Sequence, residues 1–192
     1  MRSYQFLLLI NFLFCFSDES YSQSTASNPL SMNGFEVWIT GHDSGTVQLL
    51  PERGKNGLTM EGGKTVVHAR FKVKSYGEVH TPINSLSPPN AEALSADLSR
   101  SKFLKIKYKA NHTVVLQLRQ TGVHGGVHNH VLLPPSNNFT TTTIYFSSFK
   151  GGMEPLNLKE VAKFNFALLG NNEHDGFADL VIQSFSIDKY KP

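Results

Sequence analysis

The stretch Phe103-Leu104-Lys105-Ile106-Lys107-Tyr108-Lys109-Ala110 decides the fold. Leu104, Ile106 and Tyr108 alternate with Lys105, Lys107 and Lys109. Period-two alternation puts one set on a buried face and the other in water, which is a half-buried strand and not a helix. Read as a strand face, the three lysines are solvated and discourage edge pairing. A polyanion site is the sharper alternative, and the chain's net charge of +3 gives it little support.

The same pattern recurs on both sides. Val67, Ala69, Phe71 and Val73 alternate with His68, Arg70 and Lys72 over Val66 to Val73. Thr113 to Gln120 sets Val114, Leu116 and Leu118 against Val115, Gln117 and Arg119. Further strands are expected at Phe35–Thr40, Val47–Leu50, Gly57–Glu61, Val127–Leu133, Thr140–Phe146, Phe164–Leu169 and Leu180–Ile187. Gly41 to Gly45, Gly62-Gly63, Pro88-Pro89 and Pro134-Pro135 punctuate them. Ala91–Leu98 and Leu158–Val161 read as single helical turns, and no amphipathic helix of three turns is present. About ten short strands with turn residues between them imply an all-β, antiparallel β-sandwich, with a jelly roll as the specific form.

Residues 1–22 read as a cleaved secretory signal peptide. Arg2 precedes the apolar run Phe6 to Phe16, broken by Asn11, and Ser20-Tyr21-Ser22 supplies small residues before Gln23. The run is too short to cross a bilayer, which takes about 20 apolar residues. Bulky Phe14 stands before Cys15, against a lipid anchor there. Residues 23–192 then form one domain, secreted or periplasmic, with no membrane segment. The leader takes with it Cys15, one base and two acids, so the domain is free of cysteine and its charge rises by one. Disulfide frameworks and Cys-rich zinc sites are excluded, and no nucleic-acid partner is expected. Asn111-His112-Thr113 and Asn138-Phe139-Thr140 are glycosylation sequons where a host uses them.

Chemistry-bearing motifs are few. Gly122 to His130 carries His124, His128 and His130. His128 and His130 share a strand face, and three histidines could make an open zinc or copper site. Neither Glu nor Asp lies in that stretch to act as a base. No nucleophile elbow, phosphate loop or zinc-protease helix occurs. Glu36, Asp43, Glu78, Glu154, Glu173, Asp175 and Asp179 read as scattered loop acids, exposed for the most part. No cofactor is required, and a structural calcium on some of these oxygens stays open.

A polar strand face is the stronger signal. Gln117, Arg119, His128, His130 and Tyr145 oppose the apolar side of their own strands. If those strands are neighbours, the side chains make one surface of amide, guanidinium, imidazole and phenol groups. Such groups bond sugar hydroxyls, and aromatic rings cover the apolar faces of sugars. Loop residues Trp38, His42, Tyr76 and His80 are secondary candidates, with Trp38 better placed in the core.

From Ser95 to Tyr190 the order of segments resembles galactose-binding-like jelly rolls, especially carbohydrate-binding modules similar to family 11. The matching stretches are Ala96-Asp97-Leu98-Ser99 before Phe103–Ala110, then Val115 to Arg119, Phe139 to Phe149, and Leu156-Asn157-Leu158 with Val161 to Phe166. Phe35-Glu36, Trp38 and Asp43 resemble the start of such a domain. The complex-I intermediate-associated domain shares much of the pattern. Two positions depart from it. Ile182-Gln183 stands where an Ile-Asp pair is usual, which counts against a carried-over calcium, and Phe139 stands where Trp is usual.

The resemblance implies a monomeric, non-catalytic module acting alone, with a groove on one sheet for a β-glucan or other plant-type polysaccharide or oligosaccharide. Gln117 and Arg119 would bond hydroxyls, with His124, His128, His130, Tyr145, Tyr76 and His80 in support. Two other functions stay open: a metal-dependent hydrolase or lyase on His124, His128 and His130, and a protein-interaction or assembly domain.

Overall fold

The computed structural model describes residues 30–87, 92–123, 126–170 and 177–192. It is an antiparallel sandwich of two sheets, the jelly roll that the alternation implies. Among the described residues eleven strands follow in order: β1 Ile39–His42, β2 Val47–Leu50, β3 Leu58–Glu61, β4 Lys64–Lys72, β5 Tyr76–Pro82, β6 Phe103–Ala110, β7 Val114–Gln120, β8 Asn129–Leu133, β9 Ser136–Tyr145, β10 Val161–Leu169 and β11 Phe177–Ile187. One sheet has the order β1-β5-β10-β7-β8 and the other β2-β4-β11-β6-β9, with β3 pairing β4.

β6 occupies the residues its alternation marks out. Leu104, Ile106, Tyr108 and Ala110 are buried, and the lysines face outward. Tyr108 keeps its hydroxyl satisfied by donating to Pro134 O at 2.8 Å. The two sheets are joined by aromatic packing. Phe185 of β11 lies 5.0 Å from Phe35, 5.1 Å from Phe164, 5.8 Å from Phe166 and 5.9 Å from Trp38, in edge-on arrangements. Such pairs add about 0.5–1.5 kcal/mol each beyond area burial. Trp38 is fully buried, so it belongs to the core.

Four local expectations are corrected. His42, Tyr76 and His80 are not on loops, because His42 ends β1 and Tyr76–Pro82 is a full strand inside a sheet. The described part of 91–98 forms no helical turn, since Ala96 bridges Val161 and Leu98 N bonds Leu158 O. β1 begins only at Ile39, after Phe35 and Trp38 have turned into the core. Glu78 and Asp179 stand on strands and not in loops. The turn expected near Leu158 is a single 3-10 turn, Leu158–Glu160. The leader-like residues 1–22 lie outside the described residues, as do His124, Glu173 and Asp175.

Candidate functional site on the five-stranded sheet

β10 and β7 alternate large apolar residues inward, which sends the residues between them to the outer face. Inward go Phe164, Phe166 and Leu168 with Leu116 and Leu118, all buried. Outward go Lys163, Asn165 and Ala167 with Val115, Gln117 and Arg119. Cross-strand register then lines up three rows. The middle row runs Ile39, His80, Asn165, Gln117, His130. On one side lie Gly41, Glu78, Ala167, Val115 and Leu132. On the other lie Pro82, Lys163 and Arg119.

Glu78 is the centre of this face. It is 8% exposed, between two residues that leave it room. Gly41 has no side chain, and a Cβ there would meet Glu78 Oε1 at 3.1 Å. Ala167 on the other flank is small. Into that space reach three donors. His80 Nδ1 donates to Oε1 at 3.0 Å, and the Tyr76 hydroxyl and the Asn165 amide both donate to Oε2. Asn165 Nδ2 also lies 3.5 Å from Gln117 Oε1, which carries the network across to β7.

Charge follows from this geometry. Burial pushes the Glu78 carboxyl up. The hydrogen bond and charge of His80, the Tyr76 hydroxyl and Lys163 outweigh it, so the net shift is downward. Burial, then the Glu78 charge, push the Tyr76 phenol well above its ordinary value, so it stays a donor at neutral pH. Asn165 is 1% exposed. A carboxylate only accepts, so the amide must turn its nitrogen to Glu78, and its Oδ1 is left buried without a partner. An orphaned acceptor costs about 1–3 kcal/mol. The fold tolerates that cost in order to hold the network.

At the β8 edge His130 is fixed by its neighbours. Its backbone pairs with Lys150 in both directions, and its Nδ1 donates to His128 O at 3.0 Å. Gly151 lies under the imidazole, where a Cβ would come within 3.1 Å of Cε1. Beyond Val115 and Leu132 the face opens into a cavity of about 300 Å³, walled also by His112, Pro135 and Leu169. The surface therefore changes along the strands from cationic, through amide and imidazole, to apolar.

Gln117, Arg119, His128, His130, Tyr76 and His80 all belong to this one sheet or its β8 approach. Tyr145 does not. It ends β9, the edge strand of the opposite sheet, where it is 55% exposed and its ring packs edge-on to Phe103 at 6.1 Å. The strands were required to be neighbours, and β9 is not a neighbour of β7 or β8. His124 lies outside the described residues. Among the described residues no three His, Cys, Asp or Glu side chains gather as metal ligands. Sequence reading missed Glu78 as part of the site, and with it Asn165 and Lys163. For the last two the signal was available, because both alternate with Phe164 and Phe166.

These sheets and this open face define an antiparallel jelly roll with a polar outer surface bordered by a cavity. No family model matches the chain, and no curated protein matches it. Solved structures match its fold. A family 11 carbohydrate-binding module from Clostridium thermocellum, in complex with a β-1,3-1,4-mixed-linked tetrasaccharide, superposes with a TM-score of 0.57 at 16% identity, covering 80% of this chain and 89% of that one. The family 11 module of a cellulosomal cellulase of the same organism gives 0.54 at 16% identity, over 84% and 95% of the two chains. At such identities the likeness is one of fold, the galactose-binding-like jelly roll that carbohydrate-binding modules use.

Proposed function

We propose that this chain is a secreted or periplasmic, non-catalytic carbohydrate-binding protein. It takes a polysaccharide along the outer face of the five-stranded sheet. The observation that carries this reading is the network of Tyr76, Glu78, His80, Asn165 and Gln117. It places a buried carboxylate and its donors in register across three strands, beside an apolar wall of Val115 and Leu132. Sugars need both features, since hydroxyls ask for amide and imidazole partners and ring C–H faces ask for apolar contact. The shared fold with modules that bind glycans supports the reading. A β-glucan or another plant-type glycan is the chain proposed. Export rests on the leader-like residues 1–22.

Affinity electrophoresis through gels containing a panel of soluble polysaccharides tests it. Wild type is retarded by at least one glycan. Gln117→Ala weakens that retention about twofold to tenfold and Arg119→Ala about tenfold or more, as lost neutral and charged hydrogen bonds predict. Unretarded migration in every gel overturns the proposal.

A further inference from the structure

Register sets Lys163 of β10 directly opposite Arg119 of β7. Like charges so placed destabilise a sheet. Among the described residues neither cation makes an ion pair. The ion pairs lie elsewhere, at His68 with Glu61 and Asp179, Arg70 with Asp179, and His80 with Glu78. Glu78 is the one carboxylate carried by the five strands of this sheet, and His80, Tyr76 and Asn165 already occupy its oxygens. Lys163 is partly buried, and burial followed by the Arg119 charge lowers its pKa, against a smaller opposing effect of the Glu78 charge. His128 is 7% exposed beside them. Burial, then Arg119 and Lys163, lower its pKa as well, with the Glu78 charge opposing them. The whole-chain charge is small, but this corner holds a surplus of positive charge on the face that meets the ligand. A half-buried like-charge pair is costly unless an anion arrives to bridge it.

We propose that the corner formed by Lys163, Arg119 and His128 binds a carboxylate carried by the glycan itself, a uronic-acid unit of the polysaccharide lying across the sheet. This rests on the reading of that face as a glycan site. Arg119 presents a planar fork that matches a carboxylate through two parallel N–H···O bonds. Lys163 supplies the second positive charge, and the His128 imidazole can donate from its N–H. The Gln117–Asn165 row next to the corner meets the hydroxyls of the same unit.

The test compares a polyuronate with its carboxyl-reduced form, the same backbone made neutral, together with a neutral β-glucan and a sulfated neutral glycan. Retention is measured for wild type, Lys163→Met and Arg119→Gln. Wild type should prefer the polyuronate over its reduced form by about tenfold or more, the gain expected of charge-assisted bonds. That preference should shrink as salt rises from about 20 mM to about 200 mM. In Lys163→Met it should fall to within about threefold, since one of two cations is gone. Thermal unfolding supplies a second readout, because Lys163→Met removes a repulsion from Arg119 that outweighs its attraction to Glu78, and its midpoint should not drop. Equal binding of the polyuronate and its reduced form overturns the inference and leaves the glycan site standing. Stronger binding of the sulfated glycan overturns the carboxylate assignment. A large drop in the midpoint for Lys163→Met overturns the claim that the pair is uncompensated. Failure of every glycan to bind removes the site and the inference together.

Discussion

Glu78 acts as a keystone because it is a buried carboxylate with three donors, and its protonation state is tied to stability. Its folded pKa lies below the ordinary 4.5, so its contribution is present above that value and is lost as pH falls through the folded pKa. His68 on the opposite sheet runs the other way. Its Nε2 lies 2.8 Å from Asp179 Oδ1 and its Nδ1 2.5 Å from Glu61 Oε1. The Asp179 bond leads in raising its pKa above 6.5, against burial, with Glu61 adding to it. That contribution is full below 6.5 and is lost as pH rises through the folded value. Unfolding midpoints across pH should show both. Glu78→Gln should cost about 1–3 kcal/mol at neutral pH by disturbing the donors around it. Its deficit relative to wild type should narrow below the ordinary carboxyl value of 4.5. The deficit of His68→Gln should instead narrow above 6.5. A deficit independent of pH in either variant would remove the assigned role.

β5 shows how one element makes the site and hides it. Tyr76-Gly77-Glu78-Val79-His80-Thr81-Pro82 offers only Val79 as a large apolar residue, so no run of alternation marks it as a strand. The reason lies at Gly77. This residue faces the core, and a Cβ there would meet the Phe71 ring at 2.9 Å. The Phe71 ring fills the volume that a β5 side chain would take. Gly77→Ala should therefore destabilise the protein by about 1–3 kcal/mol through overpacking, read as a lower denaturant midpoint. An unchanged midpoint would mean that the ring yields freely. The same logic explains what could be read from the residues alone. β6, β7 and β10 each carry three or more large apolar residues in alternation, and their bounds fall within a few residues of the structure. Gln117 and Arg119 followed from that alternation. Glu78 could not, because its burial depends on Gly41 of β1 and Ala167 of β10, which only sheet order brings beside it. Tyr145 went astray for the matching reason, since facing outward on a strand does not say which sheet holds that strand.

At the scale of the molecule the two outer faces differ in how some of their cations are compensated, and that difference favours the five-stranded face as the proposed site. On the six-stranded sheet Arg70 approaches Asp179 and lies 5.5 Å from the centre of the Phe177 ring. Lys105 stands over Phe103 at 5.5 Å, and Lys107 and Lys109 stand over Phe139 at 5.9 Å and 5.3 Å. Each of these positive charges already has a ring or a carboxylate, worth about 0.5–1 kcal/mol per exposed cation–π contact. Among the described residues Lys163 and Arg119 on the five-stranded sheet form no ion pair, and the Glu78 charge that acts on Lys163 is outweighed by that of Arg119. On the proposed reading, a glycan with hydroxyls and charge gains more on the five-stranded face. Replacing Lys105, Lys107 and Lys109 together by Gln should leave affinity for a neutral glycan within about twofold of wild type, and Tyr145→Ala should do the same, since groups outside the contact surface change little. The triple variant should unfold slightly earlier, by the sum of three weak contacts. Loss of glycan retention in the triple variant, with Gln117→Ala unaffected, would move the site to the other sheet.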